Sequence, residues 1–238
     1  MITISNLIKS YNNLEVLKGI NAEISKDKVT AVVGPNGSGK TTIIKIILGL
    51  VKSDFGYVSI DNEKINGDYH YKSNIGYMPQ IASYPENLTV VEVINMIKDF
   101  RNCKGNPEEK LISEFGLNGE LNKAIRTLSG GNKQKLSAVI ALMFNPNILI
   151  FDEPTAGLDP IASSRFKEIV LAKKKEGKSI ILTSHIMSEI EELADEIIFL
   201  LDGKIYYQGS LLNLLLEKGE TRLEKAVAGI LQEYASWN

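Results

Sequence analysis

A chain of 238 residues with a formal charge of −2 can bury one large α/β core, and it lacks the basic surplus that marks a nucleic-acid-binding domain. Its single cysteine, Cys103, excludes an internal disulfide framework and points to a reducing compartment. No apolar run reaches the roughly 18 residues of a membrane span, and Met1 to Ser10 has neither the charged nor the apolar region of a secretory leader.

Taken in chain order, Thr3 to Leu7, Val16 to Ile24 and Tyr57 to Asp61 show short alternating patterns, which predict a small antiparallel sheet. Val29 to Val33 is a β-branched run that reads as a buried strand, and Thr42 to Leu48 reads as a helix. The residues joining them, Gly34, Pro35, Asn36, Gly37, Ser38, Gly39, Lys40, Thr41 and Thr42, form a phosphate-binding loop. Glycines let successive backbone N–H groups close around an anion, and the helix N-terminus adds partial positive charge. Lys40 can reach the outer phosphates, and Thr41 offers a hydroxyl to Mg²⁺. A strand before the loop and a helix after it separate this motif from a chance match. The chain is expected to bind a nucleoside triphosphate.

From Thr89 the pattern becomes helical. Thr89-Val90-Val91-Glu92 is a capping box opening a helix to about Phe100, and Asn106-Pro107-Glu108-Glu109 opens another towards Phe115. Leu128-Ser129-Gly130-Gly131-Asn132 starts a further helix with Ser129 as N-cap. That helix has no acid in its first turn, so its N-terminus is open to an external anion. Ile148 to Phe151, Ser179 to Thr183 and Glu196 to Leu201 are apolar runs separated by helices, the rhythm of a parallel sheet. The first delivers Asp152 to the C-terminal edge of a strand, where it can hold Mg²⁺ together with Thr41. Glu153, one residue on, is free to orient or deprotonate a water. Asp202-Gly203 turns the chain into a last strand, Lys204 to Gln208. The expected fold is α/β, a single domain over residues 1–238. Its parallel-sheet core adjoins a small antiparallel β subdomain, with a helical insertion over about 84–130 and a helical tail over about 210–238. In that tail Leu223, Val227, Ile230, Leu231 and Tyr234 share a helical face, suited either to packing on the chain's own domain or to homodimer contact.

The set GPNGSGKTT, LSGGNKQK, ILIFDEPTAGLDP and LTSH, in this order and spacing, resembles the ATP-binding cassette (ABC) family from about Met1 to Gln208. The resemblance implies a P-loop NTPase with a RecA-like core and active ATP hydrolysis with Mg²⁺. It also assigns roles. Tyr11, in SYNNLEVL, matches the aromatic that stacks on adenine, although a lone tyrosine also suits core or surface. Gln80, in YMPQ, matches the glutamine that senses the γ-phosphate, Mg²⁺ and the transport partner. Glu153 matches the catalytic acid, and His185 the switch histidine that contacts the γ-phosphate. Ser129, Gly130 and Gly131 match the segment that closes over a nucleotide held by Lys40 of a second copy, and Asp159 matches the loop that crosses between copies. Asn132 and Lys135 depart from the commonest pattern, where Gln and Arg are frequent.

The resemblance further implies a head-to-tail homodimer bound to separately encoded polytopic membrane subunits at the cytoplasmic face of the membrane, with no nucleic-acid partner. SGGNK followed by FDEPTAGLDP looks like ABC-2-type exporters. The stretch NIGYMPQIASYPENLTV is similar to ATPases of copper-processing systems for nitrous oxide reductase maturation. Ile81, Ala82, Tyr84, Pro85, Leu88 and Val90 suit either the face that grips a membrane subunit or buried core. The rival reading, a soluble ABC ATPase acting on nucleic acid or the ribosome, usually needs two cassettes in one chain or long coiled coils, and this sequence has neither. A P-loop kinase or GTPase would leave the segment at Ser129 without a job.

Overall fold

The computed structural model of the chain describes residues 1–65 and 69–237. The chain divides into two compact units, Met1–Asp68 with Ser179–Asn238, and Tyr69–Lys178.

In the first unit, β1 (Ile2–Tyr11) and β2 (Leu14–Ile24) pair as an antiparallel hairpin. β4 (Phe55–Ile60) lies on the other side of β1, and the short β5 (Glu63–Lys64) extends the sheet to the order β2-β1-β4-β5. The expected antiparallel sheet is therefore present, with longer strands than the alternating cores suggested. The parallel strands of this unit are β3 (Val29–Val33), β8 (Ser179–Thr183) and β9 (Glu196–Leu201), with β3 paired to both others. Every residue of β3 and β8 is buried, which is why both read as largely apolar runs without an in-out alternation. β10 (Lys204–Ser210) returns antiparallel to β9. Lys204 pairs with Leu201 across a two-residue turn in which Asp202 and Gly203 both have positive φ, 46° and 73°. That is the geometry the Asp-Gly pair selects.

α1 (Lys40–Ile47) follows β3, and α6 (Met187–Leu193) joins β8 to β9. α7 (Leu211–Lys218) and α8 (Leu223–Trp237) close the chain. Leu223, Ala226, Val227 and Ile230 of α8 are buried, whereas Leu231 is about one-third exposed. Most of the apolar face seen in the sequence packs on α6 and α7.

In the second unit, β6 (Ile75–Met78) pairs in parallel with β7 (Ile148–Asp152). α2 (Val90–Phe100) has the expected capping box. The Thr89 Oγ1 accepts from the Glu92 N–H at 3.3 Å, and the Thr89 N–H donates to Glu92 Oε2 at 2.7 Å. α3 (Glu109–Glu114) starts later than the Asn-Pro-Glu-Glu signal suggests. Asn106 spends its side chain on Lys98, at 3.2 Å, and on the Glu109 carboxylate, at 2.9 Å, so it does not cap, and residues 106–108 form a turn. α4 (Gly130–Leu142) and α5 (Pro160–Lys175) complete the unit. Phe151 of β7 and Phe166 of α5 meet edge to face at 5.0 Å, both fully buried. Among the described residues no helix is long and apolar enough to cross a membrane.

Candidate functional site

The phosphate loop belongs to the first unit. β3 delivers the chain to Gly34, where φ is 152° and a Cβ would lie 2.1 Å from the Leu200 carbonyl oxygen, so no side chain fits there. Lys40 folds back over the loop, its Nζ donating to the Gly34 carbonyl at 2.8 Å and the Pro35 carbonyl at 3.0 Å, and only 8% of the residue is exposed. Gly39, at φ 107°, precedes α1 without a side-chain cap, and the first turn of α1 contains no acid. The Ser38 hydroxyl is buried and makes no hydrogen bond. A helix start without side-chain cap or acid, a buried hydroxyl without a partner and a folded-back ammonium together fit an anionic phosphate chain.

The other predicted residues of this unit sit at the end of β1, in the first turn of α1 and in the turn after β8. Tyr11 is the last residue of β1 and is 42% exposed, with the Lys9 ammonium 5.4 Å from its ring centroid. Thr41 is exposed and Thr42 half-buried in the first turn of α1. His185 is exposed in the turn between β8 and α6. Beside it is a contact the sequence reading missed. The Ser184 hydroxyl donates to Glu189 Oε2 at 3.1 Å and accepts from the Ile186 N–H at 3.0 Å.

In the second unit, β6 and β7 end in register, Met78 opposite Phe151, and two residues beyond each partner stand Gln80 and Glu153. The Gln80 Nε2 donates to Glu153 Oε2 at 3.0 Å, so the structure brings these two predicted residues together. Gln80 keeps its amide oxygen as an acceptor. Asp152 ends β7 and is 4% exposed. Burial, and next the Asp152 carboxylate, push the Tyr77 hydroxyl up to about 12, so Tyr77 stays a neutral donor at ordinary pH. Glu153 adopts φ 50°, the left-handed region that few non-glycine residues enter. That conformation turns the chain at once out of the β7 direction, which separates the placement of Glu153 from that of Asp152.

Ser129 caps α4, its Oγ accepting from the Asn132 N–H at 3.2 Å. Ser129 and Gly130 are exposed, no acid stands in the first turn, and a Cβ on Gly130 would meet nothing within 4 Å. The Gln134 side-chain amide donates to the Pro154 carbonyl at 3.4 Å, tying α4 to the turn that follows Glu153. Asp159 caps α5 through the Ala162 N–H at 2.9 Å and pairs with Lys135 Nζ at 2.8 Å. The Lys135 contact, more than the backbone bond, holds the Asp159 carboxyl below its ordinary range. The lysine where Arg is frequent therefore still finds an acid, as a point charge without the planar fork.

Among the described residues no cluster of three or more His, Cys, Asp and Glu is placed to hold a metal ion alone. Within the second unit the Asp152 carboxylate and the Gln80 amide oxygen are hard oxygen donors, and in the first the Thr41 hydroxyl is another. Such a set suits Mg²⁺, which is held by one or two protein oxygens together with substrate phosphates.

The sequence profile described as ABC transporter matches residues 17–156, more than half of the chain. The chain belongs to the ABC transporter family. The lantibiotic transport ATP-binding protein SrtF of Streptococcus pyogenes is 36% identical over 214 residues, which cover 88% of this chain and 93% of SrtF. A solved ATP-binding subunit of an ABC transporter superposes with a TM-score of 0.90 at 27% identity, covering 97% of this chain and 99% of that one. The dimeric, post-hydrolysis cassette MJ0796 bound to ADP and Pi superposes with a TM-score of 0.81 at 26% identity, covering 89% and 99%. This ABC protein is thus the ATP-binding subunit of a transporter, a P-loop ATPase with a mixed α/β fold and mostly parallel core strands.

Proposed function

We propose that this subunit powers an ABC-2-type exporter by closing as a head-to-tail homodimer on ATP and opening on hydrolysis. The observation that carries the reading is the start of α4, where an exposed, glycine-lined helix end lacks any acid of its own. Such an end accepts an anion from outside the chain, and in this family the anion is the γ-phosphate of a nucleotide bound by the other copy. Ser129, Gly130 and Gly131 act in trans in this way, with Asp159 beside them. SGGNK followed by FDEPTAGLDP supports the exporter assignment. The partners are separately encoded membrane subunits, which place the protein at the cytoplasmic face of the membrane. The exposed Ile81, next to Gln80, supports a docking face there, whereas Val90, at the other end of that segment, is buried core.

Within the site, Tyr11 stacks on adenine, and the loop from Gly34 to Thr42 cradles the phosphates with Lys40 at the outer two. Thr41, Asp152 and Gln80 would hold Mg²⁺, and the ion would supply positive charge against the phosphates. Glu153 orients a water and takes its proton as the water oxygen attacks the γ-phosphorus. The bond to the β-phosphate bridging oxygen then breaks, giving ADP and phosphate. His185 contacts the γ-phosphate and Gln80 positions Glu153. No nucleic acid takes part.

Glu153→Gln keeps the contact with Gln80 possible and removes the base. This variant is expected to bind ATP, to lose turnover by about a hundredfold or more, and to accumulate as an ATP-bound dimer in light scattering. Turnover near that of the native chain would remove Glu153 from the chemistry. Full-rate hydrolysis by a strict monomer, independent of protein concentration, would refute the shared site.

A further inference from the structure

We propose that Glu189 is a positioning residue for His185, acting through the Ser184 hydroxyl. The inference rests on the reading of His185 as a γ-phosphate contact and adds to it the device that holds the histidine in place.

α6 begins at Met187 with Ile186 as its N-cap, and isoleucine has no side-chain oxygen to satisfy the first-turn N–H groups. Glu189 stands three residues after the cap, where a capping-box glutamate reaches back to the N–H of the cap residue. Here it does so through an inserted hydroxyl. The Ile186 N–H donates to Ser184 Oγ at 3.0 Å, and Ser184 Oγ donates to Glu189 Oε2 at 3.1 Å. The carboxylate fixes the direction of the serine proton, which turns a serine lone pair toward Ile186. Ser184 and Glu189 are 5% and 8% exposed, so both bonds are shielded from water, and the one to the carboxylate is charge-assisted.

His185 lies between the two ends of this link. With Ser184 Oγ tied to the backbone at 186 on one side and the buried Glu189 on the other, the backbone at 185 is closed into a small ring and has little freedom to rotate. The histidine side chain itself is exposed, as a group that must meet a ligand has to be. A buried serine–glutamate pair under an exposed histidine thus divides the work between holding and contacting. Glu191 adds a tie further along α6, accepting from the Leu223 N–H at the start of α8.

The test is a double-mutant cycle on the full-length chain, with steady-state ATP hydrolysis well below the melting temperature. Glu189→Ala is expected to lower kcat about tenfold, as loss of a charge-assisted hydrogen bond would, with KM for ATP within about twofold. Glu189→Gln, which keeps an acceptor oxygen, should recover most of that loss. In a His185→Ala background, Glu189→Ala should cost nothing further, because the group being positioned is gone. If Glu189→Ala does not fold, Ser184→Ala breaks the middle link and enters the same cycle. An undiminished kcat for the Glu189 and Ser184 variants beside a lowered but measurable kcat for His185→Ala overturns the inference alone. The same loss repeated in the His185→Ala background also overturns it, by showing a general structural role. Full activity of His185→Ala removes both the inference and the reading beneath it.

Discussion

α1 and α2 begin in opposite ways. α2 closes its own end, with Thr89 and Glu92 exchanging side-chain and backbone hydrogen bonds so that a carboxylate of the chain neutralises the helix start. α1 has neither cap nor acid, begins on a left-handed glycine and keeps a lysine folded over the preceding loop. α2 thus supplies its own anion, whereas the start of α1 is open to one from outside. α4 lies between the two, with one N–H taken by Ser129 and no acid present.

The contrast breaks most sharply if α1 is closed by design. Thr42 stands where Glu92 stands in α2, three residues after the cap. Thr42→Glu is expected to weaken ATP binding by roughly a hundredfold or more through like-charge repulsion a few Å from the phosphates. Isothermal calorimetry reads the affinity, and an unchanged value would mean that this end is not where phosphate sits. A smaller loss tests the intermediate case. Ser129→Arg should leave ATP binding by the monomer within about twofold while cutting hydrolysis by about tenfold or more, because a bulky cation obstructs the open end of α4. Loss of monomer binding instead would argue against a site shared between copies.

The smallest effect concerns the closed end. Bonds from the Thr89 N–H and hydroxyl hold the Glu92 carboxyl below its ordinary range. A carboxyl lowered on folding stabilises the fold above its unfolded value, and that stabilisation is lost as pH falls through the folded one. The gap in melting temperature between the native chain and Glu92→Gln should therefore be full at neutral pH and close in acid. A gap that persisted or grew in acid would show that the carboxylate is not what closes α2.

What the sequence revealed depended on whether a structural need was written locally. β3, β7 and β8 are runs buried on every residue, and the turn at Asp202-Gly203 needs two positive φ values that its residues supply. Thr89 and Ser129 cap the helices they were expected to cap. β6 escaped notice because Ile75–Met78 is short and includes Gly76, whose missing Cβ makes room for the Ala141 carbonyl, a demand set by tertiary packing. α3 begins at the last residue of the Asn106–Glu109 signal and not at its first, because the Asn106 side chain is drawn to Lys98 and Glu109. At the candidate site the phosphate loop was legible as a contiguous motif. The Gln80–Glu153 bond was not, because it depends on the register of β6 against β7. The link from Ser184 to Glu189 lacked a recognisable signal, since the serine stands two residues before the helix cap and the cap itself is isoleucine.

Glu153 occupies a backbone conformation in which glycine would rest more comfortably, at a penalty of about 1–2 kcal/mol for a side chain other than Asn or Asp. Replacing it with glycine should therefore give a chain that melts at a higher temperature and does no work. On the proposed role of Glu153 as the base, the strain at φ 50° is carried for chemistry and not for folding.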